Sequence, residues 1–483
     1  MLRWRVVSRV GLAAYCLGAP KLAAQNPTWE QLSEAGSLLT GSGHYAEAER
    51  QYREALKLAE AFGSKDARLA VTLNNFAIAC EGDGKDAEAE DLLERALVVN
   101  TQVYGAESAE AAASLNNLAS LYRDMGQPRK AEPIERRALA QDERVVGPKS
   151  PAVARDLETL ASVEADEGRY AESESRHKQA IAILEGTRPP EAVALAFARL
   201  SLAQLYVRRG EYFAAEPLYL TSVASLETNL GPEHPALATA LGNLALLDQR
   251  EGKYAQAEQL FQRTLSIRQK QFGPAHADTV LAQINLAGLY QVEGRTSEAE
   301  ALYQSALPAQ EALLGKDNLA VARTLNNLSV LYGKSGRYGE AETAARQALA
   351  ISEKALGPEH PDVAVCLANV AGIEMMQHKG VDVEPFYLRA LAINQKSFGP
   401  NNPNVAVVLN ELATFYESEG NRKQAEKLLK QALAIQQQAL GPRDPSVAGT
   451  LASLARLYAS EHKHRQAEKL QAQADAVLGK PAS

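Results

Sequence analysis

A chain of 483 residues with 46% hydrophobic content and a formal net charge of −8 is long enough for about three globular domains. It lacks the basic balance that a nucleic-acid partner demands. No apolar run reaches the ~18 to 20 residues of an integral membrane span, and the three cysteines, Cys16, Cys80 and Cys366, leave the redox compartment open.

The first acidic residue is Glu30. Ahead of it, Arg3, Arg5 and Arg9 precede a weakly apolar run from Val10 to Ala19 and the small residues Ala23 and Ala24. This order predicts a secretory signal peptide over residues 1–24, cut after Ala24, and an exported (periplasmic or extracellular) chain. Retention of the segment would make the protein cytoplasmic instead. Tyr15, ahead of Cys16, is too large for a lipoprotein cleavage site, so no lipid anchor is expected.

From Trp29 onward one pattern recurs. Its turn position reads Gly43, Gly84, Gly126, Gly168, Gly210, Gly252, Gly294, Gly336, His378, Gly420 and His462, 41 residues apart at the first step and 42 thereafter. A glutamate follows six residues after each, from Glu49 to Glu468. Eleven copies in register define a repeat array, which grows by adding units and needs no single large core.

Residues 231–273 show how one unit works. Gly231 closes the preceding helix and Pro235 suits the first turn of the next, which makes His234 its N-cap. In the same column stand Asp66, Ser108, Ser150, Asn318, Asn402 and Asp444, together with His276 and His360. The histidines are therefore expected as caps rather than metal ligands. A first helix, A, spans roughly Pro235 to Gln249, with Leu241, Leu244, Ala245 and Leu247 at helical spacing. The Ala245 column is Gly, Ala or Ser in every copy, and the Thr264 column of the second helix, B, is Ala, Ser or Thr from Ala55 to Ala474. Positions kept small in all copies mark close helix contacts, where a bulky residue should cost roughly 1 to 3 kcal/mol.

Leu244, Ala245, Gly252, Tyr254, Ala257, Phe261 and Thr264 resemble the tetratricopeptide repeat, whose usual period is 34 residues. The longer period, Leu325-Asn326-Asn327-Leu328, Gly336-Arg337-Tyr338 and the run from Leu356 to Pro361 resemble its kinesin light chain type, over about residues 29–478. The resemblance implies an all-α, right-handed superhelical solenoid of about eleven helix-turn-helix repeats occupying residues 25–483. The heptad coiled coil of kinesin light chains is missing, so no motor function is carried over.

Two repeats depart from the pattern. In the fourth, Glu158-Thr159 replaces the asparagine pair, Glu164 the tyrosine, and Arg188-Pro189-Pro190 the Gly-Pro loop; a local bend or looser packing is expected there. The ninth loses its turn glycine at His378.

No phosphate-binding loop, dinucleotide loop or His-Glu-x-x-His motif occurs. His462 and His464 read as a polar turn, and the glutamate column reads as compensation of helix dipoles. No cofactor, metal or catalysis is therefore expected. The informative column on helix A contains Asn75, Asn117, Asn243, Asn285, Asn327 and Asn369. In the family it resembles, this position faces a concave groove, where an amide can bond an extended peptide; the other reading is that these asparagines join neighbouring helices. Arg208, Arg250, Arg323 and Lys334 fall on the same predicted face, which favours an acidic, extended protein segment. The expectation is a non-enzymatic interaction scaffold, with an intracellular cargo or signalling adaptor as the alternative.

Overall fold

The computed structural model describes residues 27–41, 44–377, 383–442 and 444–478. The predicted signal peptide (residues 1–24) and the ninth-repeat turn at His378 lie outside them. The described residues form 22 helices in chain order. They are α1 (Trp29–Gly41), α2 (Tyr45–Ala61), α3 (Ala67–Gly82), α4 (Asp86–Tyr104), α5 (Ala109–Asp124), α6 (Pro128–Val145), α7 (Pro151–Asp166) and α8 (Tyr170–Gly186). There follow α9 (Ala192–Arg208), α10 (Tyr212–Leu230), α11 (Pro235–Arg250), α12 (Tyr254–Phe272), α13 (Ala277–Glu293), α14 (Thr296–Leu314), α15 (Leu319–Lys334) and α16 (Tyr338–Leu356). The last are α17 (Pro361–Met376), α18 (Val383–Phe398), α19 (Pro403–Ser418), α20 (Arg422–Leu440), α21 (Pro445–Ser460) and α22 (His464–Val477). Odd-numbered helices are the A helices and even-numbered the B helices. The chain divides into two compact units, residues 1–282 and 283–483, at a point inside α13.

Within each unit the local signals act as their chemistry requires. The caps Asp66, Ser108, Ser150, Asn318, Asn402 and Asp444 accept backbone N–H bonds from the first turn of the helix that follows. The three histidines do the same through Nδ1: His234 from Ala236 at 3.1 Å, His276 from Asp278 at 3.2 Å and His360 from Asp362 at 3.1 Å. Among the described residues the turn glycines are left-handed, as at Gly252 with φ +76°, and His462 takes the same conformation at φ 59°, which assigns it to a turn.

The small columns are where A and B helices meet. Ala119, Ala161, Ala203, Ala245 and Ala371 are fully buried, as are Ala96, Ala138, Ala180 and Ala348 opposite them. A Cβ on Gly36 would lie 2.7 Å from the Tyr52 ring. Where the column holds a hydroxyl, it is satisfied inside the pair: Ser222 donates to the Ala196 carbonyl at 3.0 Å. Inside each unit, B helices also pack on the A helix that follows. In residues 363–457 this contact forms a core of Val363, Leu367, Tyr387, Leu409, Leu412 and Leu429; its counterpart near the start holds Tyr52, Leu73, Phe76, Leu92 and Leu93.

Candidate peptide-binding face

The asparagine column lies along the A helices, and the structure gives its side chains several partners. Asn117 Nδ2 donates to Asn74 Oδ1 at 3.2 Å in the first unit, and Asn369 Nδ2 to Asn326 Oδ1 at 2.7 Å in the second. At Asn327 it is the backbone carbonyl that accepts, from Gln291 Nε2 at 3.4 Å. Asn75 and Asn285 are half-buried. Asn243 is 6% exposed, and its Nδ2 has no hydrogen-bond partner among the described residues. In Asn117 and Asn369, then, one donor joins neighbouring A helices, while the amide oxygen and second N–H remain available for other partners.

The four cations are exposed but differ in their neighbours. Arg208 pairs with Asp166 at 2.9 Å and Arg323 with Asp362 at 3.1 Å. Arg250 and Lys334 close α11 and α15 and meet no carboxylate among the described residues. Asp166 and Asp362 reach these cations from adjoining repeats, so counting acids within the middle repeats alone overstated their positive charge. The positive surplus is correspondingly smaller. Apolar groups share the face: Phe197 and Val330 are half-buried, whereas Val365 and Val407, in one column 42 residues apart, are 54% and 51% exposed.

The glutamate column does more than offset helix dipoles. Tyr122 donates to Glu90 at 2.6 Å, Tyr206 to Glu174 at 3.0 Å and Tyr458 to Glu426 at 2.6 Å, each across 32 residues. The hydrogen bond to Glu90 pushes the Tyr122 hydroxyl up to about 12. Elsewhere a cation just past the turn takes this place: Lys85 on Glu49 at 2.7 Å, Arg169 on Glu132 at 2.9 Å and Arg337 on Glu300 at 2.6 Å. The column is thus a set of clasps between successive repeats. Reading it as one residue per repeat hid the partner, which sits one repeat further on.

Two carboxylate groupings have the proximity of metal ligands, Glu49 with Cys80 and Glu88, and Glu216 with Asp248 and Glu251. A lysine ammonium already serves each: Lys85 sits 2.7 Å from both Glu49 oxygens, and Lys253 lies 2.5 Å from Glu216 and 2.9 Å from Glu251. Cys80 and Cys366 are buried free thiols, and burial pushes the Cys80 thiol up to about 12, which keeps it protonated and unreactive.

The sequence reading also missed a polar core in the third and fourth repeats. The column of Phe261, which holds Tyr52, Leu93, Tyr219, Tyr303 and Tyr387 elsewhere, carries Glu135 and His177 there. Both are buried. Asn116 donates to Glu135 at 2.9 Å and to Thr159 at 3.0 Å, and His177 Nδ1 lies 2.9 Å from Glu158. Comparing this column across repeats would have exposed the substitution.

The tetratricopeptide repeat family model matches residues 31–99, 83–144, 110–186, 194–270, 278–354, 367–436 and 404–477. The chain belongs to the tetratricopeptide repeat family. No curated protein matches its sequence. Among solved structures, this repeat protein is similar to BtubC (BKLC) from P. vanneervenii, at 21% identity over 50% of this chain and 92% of that one, with a TM-score of 0.40. The nearly identical TPR-like repeats of a Podosopora anserina chain named for kinesin light chain share 26% identity over 43% of this chain and 98% of theirs, with a TM-score of 0.37. The apo quorum sensor NprR from B. thuringiensis shares 13% identity over 76% of this chain and 97% of its own, with a TM-score of 0.57; this last likeness is one of fold.

Proposed function

We propose that this tetratricopeptide repeat protein is a non-enzymatic interaction scaffold that takes extended protein segments on the A-helix face of each unit. The observation that carries the reading is the amide column on the A helices, spaced by 42 residues and set beside exposed cations. An extended peptide offers a donor and an acceptor at every residue, and an amide side chain answers both. Arg250 and Lys334 favour an acidic segment, and exposed Val365 and Val407 add apolar contact. No helix among the described residues is long and apolar enough to cross a membrane. The signal-like start favours export, which mass spectrometry of the mature chain tests directly: loss of residues 1–24 supports it, and an intact N-terminus supports a cytoplasmic adaptor.

The binding reading is tested by selecting a random extended-peptide display library on the mature chain and on the Arg250→Glu/Lys334→Glu variant. Enrichment of Asp and Glu on the first, reversed on a variant with unchanged helicity, supports it. No selection, or the same peptides from both, overturns the acidic-segment reading. A parallel Asn285→Ala/Asn327→Ala variant, which keeps the charges, tests whether the amides take part.

A further inference from the structure

At several junctions a B helix joins the next A helix through a neutral, hydrogen-bonded pair of side chains 14 residues apart. Asn100 donates to Ser114 at 2.9 Å, Thr324 to Gln310 at 2.8 Å and Thr450 to Gln436 at 2.7 Å. At the junction of the third and fourth repeats the same two positions are Asp142 and Asp156. Both are fully buried; Asp142 Oδ1 and both Asp156 oxygens have no partner that donates a hydrogen bond to them.

Two carboxylates in contact and out of water cannot both ionise. One proton between them, however, restores the donor that every neutral pair possesses. We propose that a proton shared by Asp142 and Asp156 holds the junction between the third and fourth repeats, so that this junction, unlike its neutral counterparts, loosens as pH rises.

The surroundings agree with a proton rather than a fixed cation. From α7 Arg155 reaches both carboxylates, but at 3.5 Å and with its own side chain 49% exposed. From α5 come Glu110, which repels Asp142, and Arg123, which is itself paired to Asp124 at 2.7 Å. From α6 comes Glu135, a further buried acid that repels Asp156. From α8 comes His177, held by Glu158. Burial is the largest influence on Asp156 and pushes it up to about 7; Asp142 and Glu135 are raised for the same reason.

The sign follows from linkage. Asp156 holds its proton to a higher pH in the closed junction than in the open one, where it behaves as an ordinary aspartate near 3.8. The stabilisation is therefore present at low pH and is lost as pH rises through the closed-state value near neutrality, after which opening levels off.

Amide hydrogen exchange on the full chain, corrected for intrinsic rates, reads this directly. Between pH 5 and pH 7 the opening constant of the α6–α7 segment should rise about tenfold per pH unit. The α14–α15 and α20–α21 segments, with neutral pairs, should not follow. Asp156→Asn supplies an amide donor to Asp142, as Asn100 does to Ser114, and should hold α6–α7 closed at pH 8 and flatten its slope; Asp142→Asn is the reciprocal variant should the first not fold. Glu135→Gln should leave a slope behind. A wild-type α6–α7 segment as insensitive to pH as α20–α21, or an undiminished slope in the Asp→Asn variants, would overturn the proposal. Infrared difference spectra add a second readout: a protonated-carboxyl band at pH 6 should be lost from either Asp→Asn variant.

Discussion

At His234 a residue type usually read as a ligand does the work of an asparagine. Its Nδ1 accepts the Ala236 N–H at 3.1 Å, which it can do only while that nitrogen is unprotonated. Burial holds the imidazole below its ordinary value. The folded protein thus resists the proton that the unfolded chain accepts near pH 6.5, and the cap's contribution is lost as pH falls below that point. His234→Asn should keep the cap and abolish this acid-side loss, worth about 1 kcal/mol, as thermal melts at pH 5 and pH 7.5 would show. The opposite slope of the Asp142–Asp156 junction is separable, because its repeats are capped by Ser108 and Ser150. His462 makes a related point: it occupies a left-handed turn that glycine takes elsewhere, so His462→Gly should raise stability by about 1 kcal/mol.

Between elements, the clasp from Tyr122 to Glu90 ties the end of an A helix to the B helix of the preceding repeat. Tyr122→Phe removes one hydroxyl from a charge-assisted bond and should cost about 1.5 to 3 kcal/mol; a double-mutant cycle with Glu90→Gln should return most of that as coupling. Asp248 stands in the tyrosine column, buried and pushed up to about 6 by that burial. Asp248→Tyr should raise stability above pH 6, where the aspartate is charged, by creating the missing bond to Glu216. The helices themselves were legible in the sequence, because caps, left-handed glycines and small contact positions are local signals repeated eleven times. The clasps were not, since each joins residues from different copies. The ion pairs of Arg208 with Asp166 and of Arg323 with Asp362 escaped for the same reason. The A-helix column of Asn243, Asn285 and Asn327 followed from register, whereas the bonds from Asn117 to Asn74 and from Asn369 to Asn326 required coordinates.

For the whole molecule, stability belongs to neighbouring repeats rather than to one core. Unfolding should therefore depart from two-state behaviour. Trp29, which donates to Thr72 at 2.8 Å, reports on the first repeat; in a Trp4→Phe background its fluorescence should change at lower denaturant than far-UV circular dichroism. Coincident transitions would show instead that the ends are as firmly held as the middle. Exposed pairs such as Lys270–Glu233 and Lys396–Glu359 are screened by solvent and contribute little to that balance.

The offsets of these bonds have a consequence for how such a chain can change length. Tyr122 reaches back 32 residues, Arg337 reaches back 37 and Asn369 reaches back 43. Excising or duplicating a 42-residue segment from a regular stretch leaves every side chain at the new seam facing a partner from the same column. A cut that is not a multiple of 42 residues severs them all at once. The third and fourth repeats do not share this freedom. Asp142 needs Asp156, and Asn116 reaches Thr159 one repeat on, so neither repeat can be exchanged alone for another copy. In a ladder of largely interchangeable rungs, that seam has a fixed address.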